Sequence, residues 1–175
     1  MTDDIRQKRR SKTPPSSKAP PSCLDKALHL LGFRDHTEAE LAQKLTRAGY
    51  PKAEIESACT RLREMGYLDD ARFAARAAES LHLGGKLGRR SALQKLVRKG
   101  ISPKAAEAAI EAAFHDSDEA EKALSLVRTR FPALTRNSPP GEKARAARFL
   151  AYRGFEMSAI AQVLRMDAAF EDCDS

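Results

Sequence analysis

The sequence predicts an all-α protein of three tandem three-helix units, each helix-turn-helix-like, that form an elongated body with room for curvature. Apolar residues recur with helical spacing, and no long stretch alternates with period two. The related segments KLTRAGY, KLVRKGI and FLAYRGF occur at 44–50, 95–101 and 149–155, so their glycines lie 51 and 54 residues apart. Because a unit of about 50 residues buries little surface alone, we expect neighbouring units to cover each other's apolar faces.

The first unit is predicted at 23–68. Thr37 followed by Glu40 has capping-box spacing and opens the second helix, which closes at Gly49. Pro51 lies where a first-turn proline belongs in the third helix. The apolar positions of the first helix are Leu24, Ala27, Leu28 and Leu31, and those of the third are Ile55, Cys59 and Leu62.

The second and third units are predicted at 69–116 and 117–166. Asp69 caps the first helix of the second unit, the middle helix ends at Gly100, and the pair Ser102-Pro103 starts the next helix. The third unit has helices predicted at about 118–131, 140–152 and 157–165.

Two tails flank these units. Residues 1–22 are polar, basic and rich in proline, which predicts disorder, and 167–175 are acidic and predicted to fray. No apolar run suits a signal peptide or a membrane span, and Cys23, Cys59 and Cys173 form no C-x-x-C pair. We therefore expect a cytoplasmic protein, in a reducing compartment. We also expect that the protein does not bind membranes.

The sequence contains no catalytic constellation, so we expect a protein that is not an enzyme and uses no cofactor. The histidines are scattered, which predicts surface or partly buried side chains and no metal site; they are His29, His36, His82 and His115. Cys59 shares its helical phase with apolar neighbours and is predicted to be a buried thiol. Asp69 and Asp70 are explained by their place at a helix start.

The glycine-rich stretch GGKLGRR at 84–90 does not fit a nucleotide-binding loop. A P-loop follows a buried strand and ends in Gly-Lys-Ser/Thr, so that backbone amides and a lysine meet the phosphates. Here the glycines follow a helix and lead to Arg89 and Arg90. The glycines are predicted to separate two helices.

A basic surface is the strongest functional signal. The net charge is +7, and residues 80–104 contain seven basic and no acidic side chains. In the helix that follows Gly88, an apolar stripe of Leu93, Leu96 and Val97 is predicted to pack inward. Arg89 and Arg90 lie at its N-terminus, where the helix dipole favours an incoming anion over a cation. The predicted binding residues are Lys86, Arg89, Arg90, Lys95, Arg98 and Lys99. The alternative is a solvated helix surface.

A DNA-binding protein of helix-turn-helix type is a second hypothesis. Its support is the tight turn in 38–70, but residues 23–79 carry one net negative charge and no strand pair for a wing follows Gly66. Aromatic residues make up 6% of the chain, without tryptophan, so a stacking platform for single strands is poorly supplied. Preference for one duplex sequence would favour this alternative.

The chain resembles the RecX family, bacterial regulators of the RecA recombinase. The matching segments are ALHLLGFRDHTEAELAQKLTRAGY at 27–50, GYLDDARFA at 66–74, GRRSALQKLVRKGI at 88–101 and FLAYRGF at 149–155. They cover about 23–165. The sequence departs from the family at Arg89 and Ala92, where a proline and a larger aliphatic residue are usual.

The resemblance implies a mainly negative regulator that lodges in the groove of the RecA–DNA filament. There it would restrain filament growth, ATP hydrolysis and strand exchange without catalysis of its own. The implied partners are RecA and the single-stranded DNA in or near the filament, and we expect the protein to act as a monomer.

Overall fold

The computed structural model describes residues 21–115 and 118–166, so the predicted tails lie almost wholly outside it. Within these ranges the chain forms nine α-helices and no strand. The helices are α1 (Cys23–Phe33), α2 (Glu38–Arg47), α3 (Lys52–Glu64), α4 (Asp70–Leu83), α5 (Arg89–Arg98), α6 (Pro103–Phe114), α7 (Glu119–Arg130), α8 (Pro140–Tyr152) and α9 (Met157–Met166). None of the helices in this part of the chain combines the length and apolar content that a membrane span requires.

Short polar residues start the helices because they satisfy free backbone N–H groups. The side chains of Thr37, Asp69, Ser102 and Asp118 each accept a hydrogen bond from a backbone N–H of the helix that follows. Pro51 differs from the prediction, because it is the N-cap residue of α3 and lies one position before the first turn. The predicted helix starts at the other four positions are confirmed.

Glycine ends each middle helix because the chain must leave it in the left-handed conformation. Gly49, Gly100 and Gly154 have φ of 90°, 88° and 80°, values that L side chains rarely adopt. The repeated glycines of the three sequence segments therefore occupy one structural position, directly after α2, α5 and α8.

Each unit has its own hydrophobic core. The first core surrounds Leu41 and Leu62, the second surrounds Leu96 and Phe114, and the third surrounds Leu150. The helix pairs in extensive contact belong to the same unit. The all-α fold of three tandem units is confirmed, but the expectation that neighbours cover each other's apolar faces is wrong. Three helices already cover one another's apolar stripes, and the units join through helix ends.

The end of one middle helix lies against the start of the preceding middle helix. A Cβ atom on Gly100 would lie 2.2 Å from the Cβ of Ala39, so the end of α5 touches the start of α2. A Cβ atom on Gly154 would lie 2.3 Å from the backbone nitrogen of Ser91, so the end of α8 touches the start of α5. These two contacts, the first and second junctions, set the path of the chain.

Candidate nucleic-acid interface

The start of α5 is held by the backbone of the third unit. The N–H of Gly88 donates to the carbonyl of Arg153 at 3.0 Å, and the N–H of Arg90 donates to the carbonyl of Gly154 at 3.2 Å. A Cβ on residue 88 would lie 2.4 Å from the Gly154 oxygen, so the two chains approach this closely because Gly88 has no side chain. The N-cap glycine is therefore a packing residue.

The anion at the N-terminus of α5 comes from the chain itself. Glu119, the first residue of α7, accepts from the N–H of Arg89 through Oε1 at 2.7 Å. Its Oε2 accepts from the N–H of Glu156, just before α9, at 3.3 Å. One carboxylate thus satisfies free donors at two helix starts, where the dipole favours negative charge. The expectation that this end of α5 accepts an anion from a ligand is wrong.

Two of the six predicted cations have partners within the chain. The guanidinium of Arg89 pairs with Glu111 at 2.7 Å and donates to the carbonyl of Phe114 at 3.2 Å. The Nζ of Lys99 lies 3.7 Å from a carboxylate oxygen of Glu40. Their side chains are only 31% and 35% exposed. These two residues are positioned to connect helices, with little free surface left for a ligand.

The other four predicted cations are exposed, and no side chain in the described ranges pairs with them. Three of them line an open groove of about 570 Å³ between α5 and the end of α8. We call it the α5/α8 groove; its lining residues are Leu87, Arg90, Ser91, Gln94, Lys95, Arg98, Ala151, Tyr152 and Gly154. No acidic residue lies among them, and the fourth cation, Lys86, is in the turn just before α5. The groove can therefore attract an anionic ligand.

Sequence reasoning missed Tyr152 and misplaced Val97. Tyr152 is 87% exposed, although it lies in the groove beside the cations. A signal was present, since Tyr152 in FLAYRGF occupies the position of Arg98 in KLVRKGI. Val97 is 39% exposed, and Ala92 is fully buried with Leu96 instead. The buried face of α5 is therefore centred on Ala92 and Leu96, which are one helical turn apart. The predicted stripe, which included Val97, is rotated away from this face.

The histidines lie in no cluster of possible metal ligands among the described residues. No group of three or more potential ligands converges anywhere in residues 21–115 and 118–166. His36 departs from the expected exposure, because it is only 4% exposed, and burial lowers its pKa below the ordinary value. Cys59 is buried as predicted, and burial raises its pKa, which keeps the thiol protonated. These residues serve packing.

Three family models match successive parts of the chain. The first, second and third three-helix domains of RecX match residues 23–62, 69–110 and 117–164. Each match falls within one of the three units of the structure. The order of the models follows the order of the units along the chain.

Curated relatives and solved structures are similar to the chain over most of its length. The chain is 38% identical to regulatory protein RecX of Vibrio vulnificus over 84% of this chain and 94% of that protein. It is 37% identical to regulatory protein RecX of Cronobacter sakazakii over 81% and 90%. The crystal structure of RecX from Lactobacillus salivarius superposes with a TM-score of 0.71 at 19% identity, over 82% of this chain and 93% of that one. The chain therefore belongs to the RecX family of regulatory proteins.

Proposed function

We propose that this protein regulates the RecA recombinase, mainly negatively. It binds in the groove of the RecA–DNA filament and restrains filament growth, ATP hydrolysis and strand exchange, without catalysis of its own. Membership of a family of regulatory proteins supports this proposal. A row of three small units also supports it, because such a row presents a long surface to an extended partner.

The observation that carries the proposal is the set of unpaired cations on one face. Arg90, Lys95 and Arg98 line the α5/α8 groove, and Lys86 lies nearby. Cations without acidic neighbours have no competitor for the phosphates or carboxylates of a filament. We propose that these four residues make the contact, and that the predicted residues Arg89 and Lys99 support the surface from beneath.

Titration of the protein into a RecA ATPase assay on single-stranded DNA tests the proposal. The unaltered protein should lower the rate of ATP hydrolysis. The double variant Lys95→Glu/Arg98→Glu should inhibit much less, because two attractions to an anionic filament become repulsions. The matched control is Lys44→Glu/Arg47→Glu, at the equivalent positions of α2. Its inhibition should remain close to that of the unaltered protein.

Two results would contradict the proposal. No effect of the unaltered protein on RecA would remove the regulatory role, and full inhibition by the folded Lys95/Arg98 variant would remove the proposed surface. Circular dichroism of each variant establishes that the helical fold survives. Tight binding to one duplex sequence without RecA would instead identify a helix-turn-helix DNA-binding protein.

A further inference from the structure

The α5/α8 groove combines charge on one wall with a bare aromatic ring on the other. Arg90, Lys95 and Arg98 project from α5, and Tyr152 ends α8. We propose that the groove holds one strand of nucleic acid, with its phosphates against these cations and one unpaired base stacked on the Tyr152 ring. This ligand rests on the proposed function, because it would bind the same cations that are proposed to contact the RecA filament. Its binding can be tested in the absence of RecA.

The length of the basic wall fits a single nucleic-acid backbone. Arg90 and Arg98 are eight residues apart on one helix, which corresponds to about 12 Å at about 1.5 Å per residue. In a strand whose bases stay stacked as in B-form DNA, at about 3.4 Å per nucleotide, that length spans about three phosphates. With no acidic residue lining the groove, the backbone meets no repulsive charge along this wall.

Tyr152 provides the argument for a single strand over a duplex. The residue is 87% exposed, so most of its surface is open to solvent. A flat ring open to solvent can stack on the face of an unpaired base, whereas bases inside a duplex are already covered by their neighbours. The cations alone would accept either form, so the ring is the feature that selects the strand.

The neighbours of Tyr152 hold it in place. The guanidinium of Arg153 lies over the Phe149 ring at 5.0 Å and donates to the carbonyl of Lys86 at 3.0 Å. The next residue, Gly154, accepts from the N–H of Arg90. The backbone that carries the ring and the start of α5 is therefore positioned before any ligand binds, which lowers the entropy cost of binding.

The first junction lacks this combination. The positions of Arg90, Ser91 and Tyr152 are occupied there by Ala39, Glu40 and Arg98, so that junction has a carboxylate and no ring. The proposal is therefore specific to the second junction, and the first junction supplies the control variants.

Fluorescence anisotropy with labelled oligothymidylate, oligouridylate and duplex DNA tests the proposal on the full chain without RecA. Tyr152→Ala should weaken single-strand binding about 5- to 150-fold, and Tyr152→Phe should bind like the unaltered protein. Contact of three phosphates predicts a slope of log affinity against log salt near −2. Arg98→Gln should make that slope shallower by about 0.7, whereas Arg47→Gln should leave it unchanged.

The outcomes separate this proposal from the regulatory role. Binding of Tyr152→Ala and Arg98→Gln at the affinity of the unaltered protein would overturn it, as would equal binding of duplex and single strands. If the variants bind oligonucleotides normally but no longer inhibit RecA, the groove contacts an acidic protein surface and this proposal fails while the regulatory one stands. Comparison of the thymidylate and uridylate arms shows whether DNA or RNA is preferred.

Discussion

The two junctions between units use the same helix-end arrangement with different chemistry. At the first junction, the hydroxyl of Thr37 donates to the carbonyl of Lys99 at 2.5 Å, and the N–H of Glu38 donates to Asp70 at 3.0 Å. At the second, Gly88 replaces the threonine, and two backbone N–H groups donate directly to carbonyls of the third unit. An acidic residue at the start of the next unit caps the middle helix in both.

The difference explains why Lys99 is paired within the chain and Arg90 is not. Backbone-to-backbone contact at the second junction needs no polar side chain there, so Arg90 and Ser91 remain at the edge of the open groove. At the first junction, Glu40 occupies the equivalent of Ser91 and attracts Lys99. The first junction therefore pairs Lys99 with Glu40, and the second leaves Arg90 unpaired; Arg89 pairs with Glu111 inside the second unit.

Gly154→Ala against Gly49→Ala should give the largest effect. Both glycines have positive φ, so each substitution costs about 1–2 kcal/mol of strain. The added methyl group at 154 also meets Ser91, which adds about 1–3 kcal/mol, whereas nothing lies within 4 Å of that position at 49. Urea unfolding followed by circular dichroism measures both. Equal losses would show that the second junction accommodates the added methyl group without cost.

Glu119→Gln against Asp70→Asn compares the two capping carboxylates. Glu119 satisfies two helix starts, so the neutral amide should lose about 1–3 kcal/mol of unfolding free energy. Asp70 accepts one bond from the neighbouring unit, and an asparagine oxygen can keep it, so the loss should stay below about 1 kcal/mol. Thermal unfolding under identical conditions measures both variants. A greater loss at Asp70 would reverse the assigned importance of the junctions.

Arg89→Gln and Arg90→Gln should separate structure from function within one dipeptide. Loss of the Arg89 contacts to Glu111 and Phe114 should cost about 1 kcal/mol, because the pair is partly exposed. Arg90→Gln should change stability by less than about 0.5 kcal/mol. In the RecA ATPase assay, Arg90→Gln should inhibit less than Arg89→Gln, which is the reverse of the order expected for loss of stability. Greater functional loss at Arg89 with normal stability would contradict the division of the cations.

The smallest expected effect is a dependence of the unfolding free energy on pH. It should arise more from the first junction than from the second. Burial lowers the pKa of His36, so the unfolded chain binds a proton more readily than the folded chain. The contribution of His36 to stability is therefore complete above about pH 6.5 and declines as the pH falls below it. His82, near the second junction, also has a pKa lowered by burial but is less buried. The difference between the urea midpoints at about pH 7.5 and about pH 5.5 should become smaller in both variants. The decrease should be greater in His36→Asn than in His82→Asn.

Local sequence rules predicted the helix boundaries because each depends on a few adjacent residues. The hydroxyl of Thr37 and the carboxylates of Asp69 and Asp118 cap helices whose first N–H groups lie within three residues of them. The three units were predicted differently, from related segments whose glycines recur 51 and 54 residues apart. Apart from residues 21 and 22, the two predicted tails lie outside the described residues.

The pairing of the cations could not be predicted locally. Glu111 lies 22 residues from Arg89 in the sequence, and Glu40 lies far from Lys99, so the acid-free run of α5 gave no sign of these acids. The burial of His36 and the exposure of Tyr152 depend in the same way on which surfaces the units bring together. The sequence indicated a basic surface, and tertiary contacts divided it.

The sequence by itself determined the helices, the three units and the concentration of positive charge, because capping, apolar periodicity and net charge follow from residues close along the chain. Only the tertiary structure decided which cations are free and where an aromatic ring lies beside them. Those properties depend on how the end of α8 docks against the start of α5, through contacts between residues that are more than 60 positions apart.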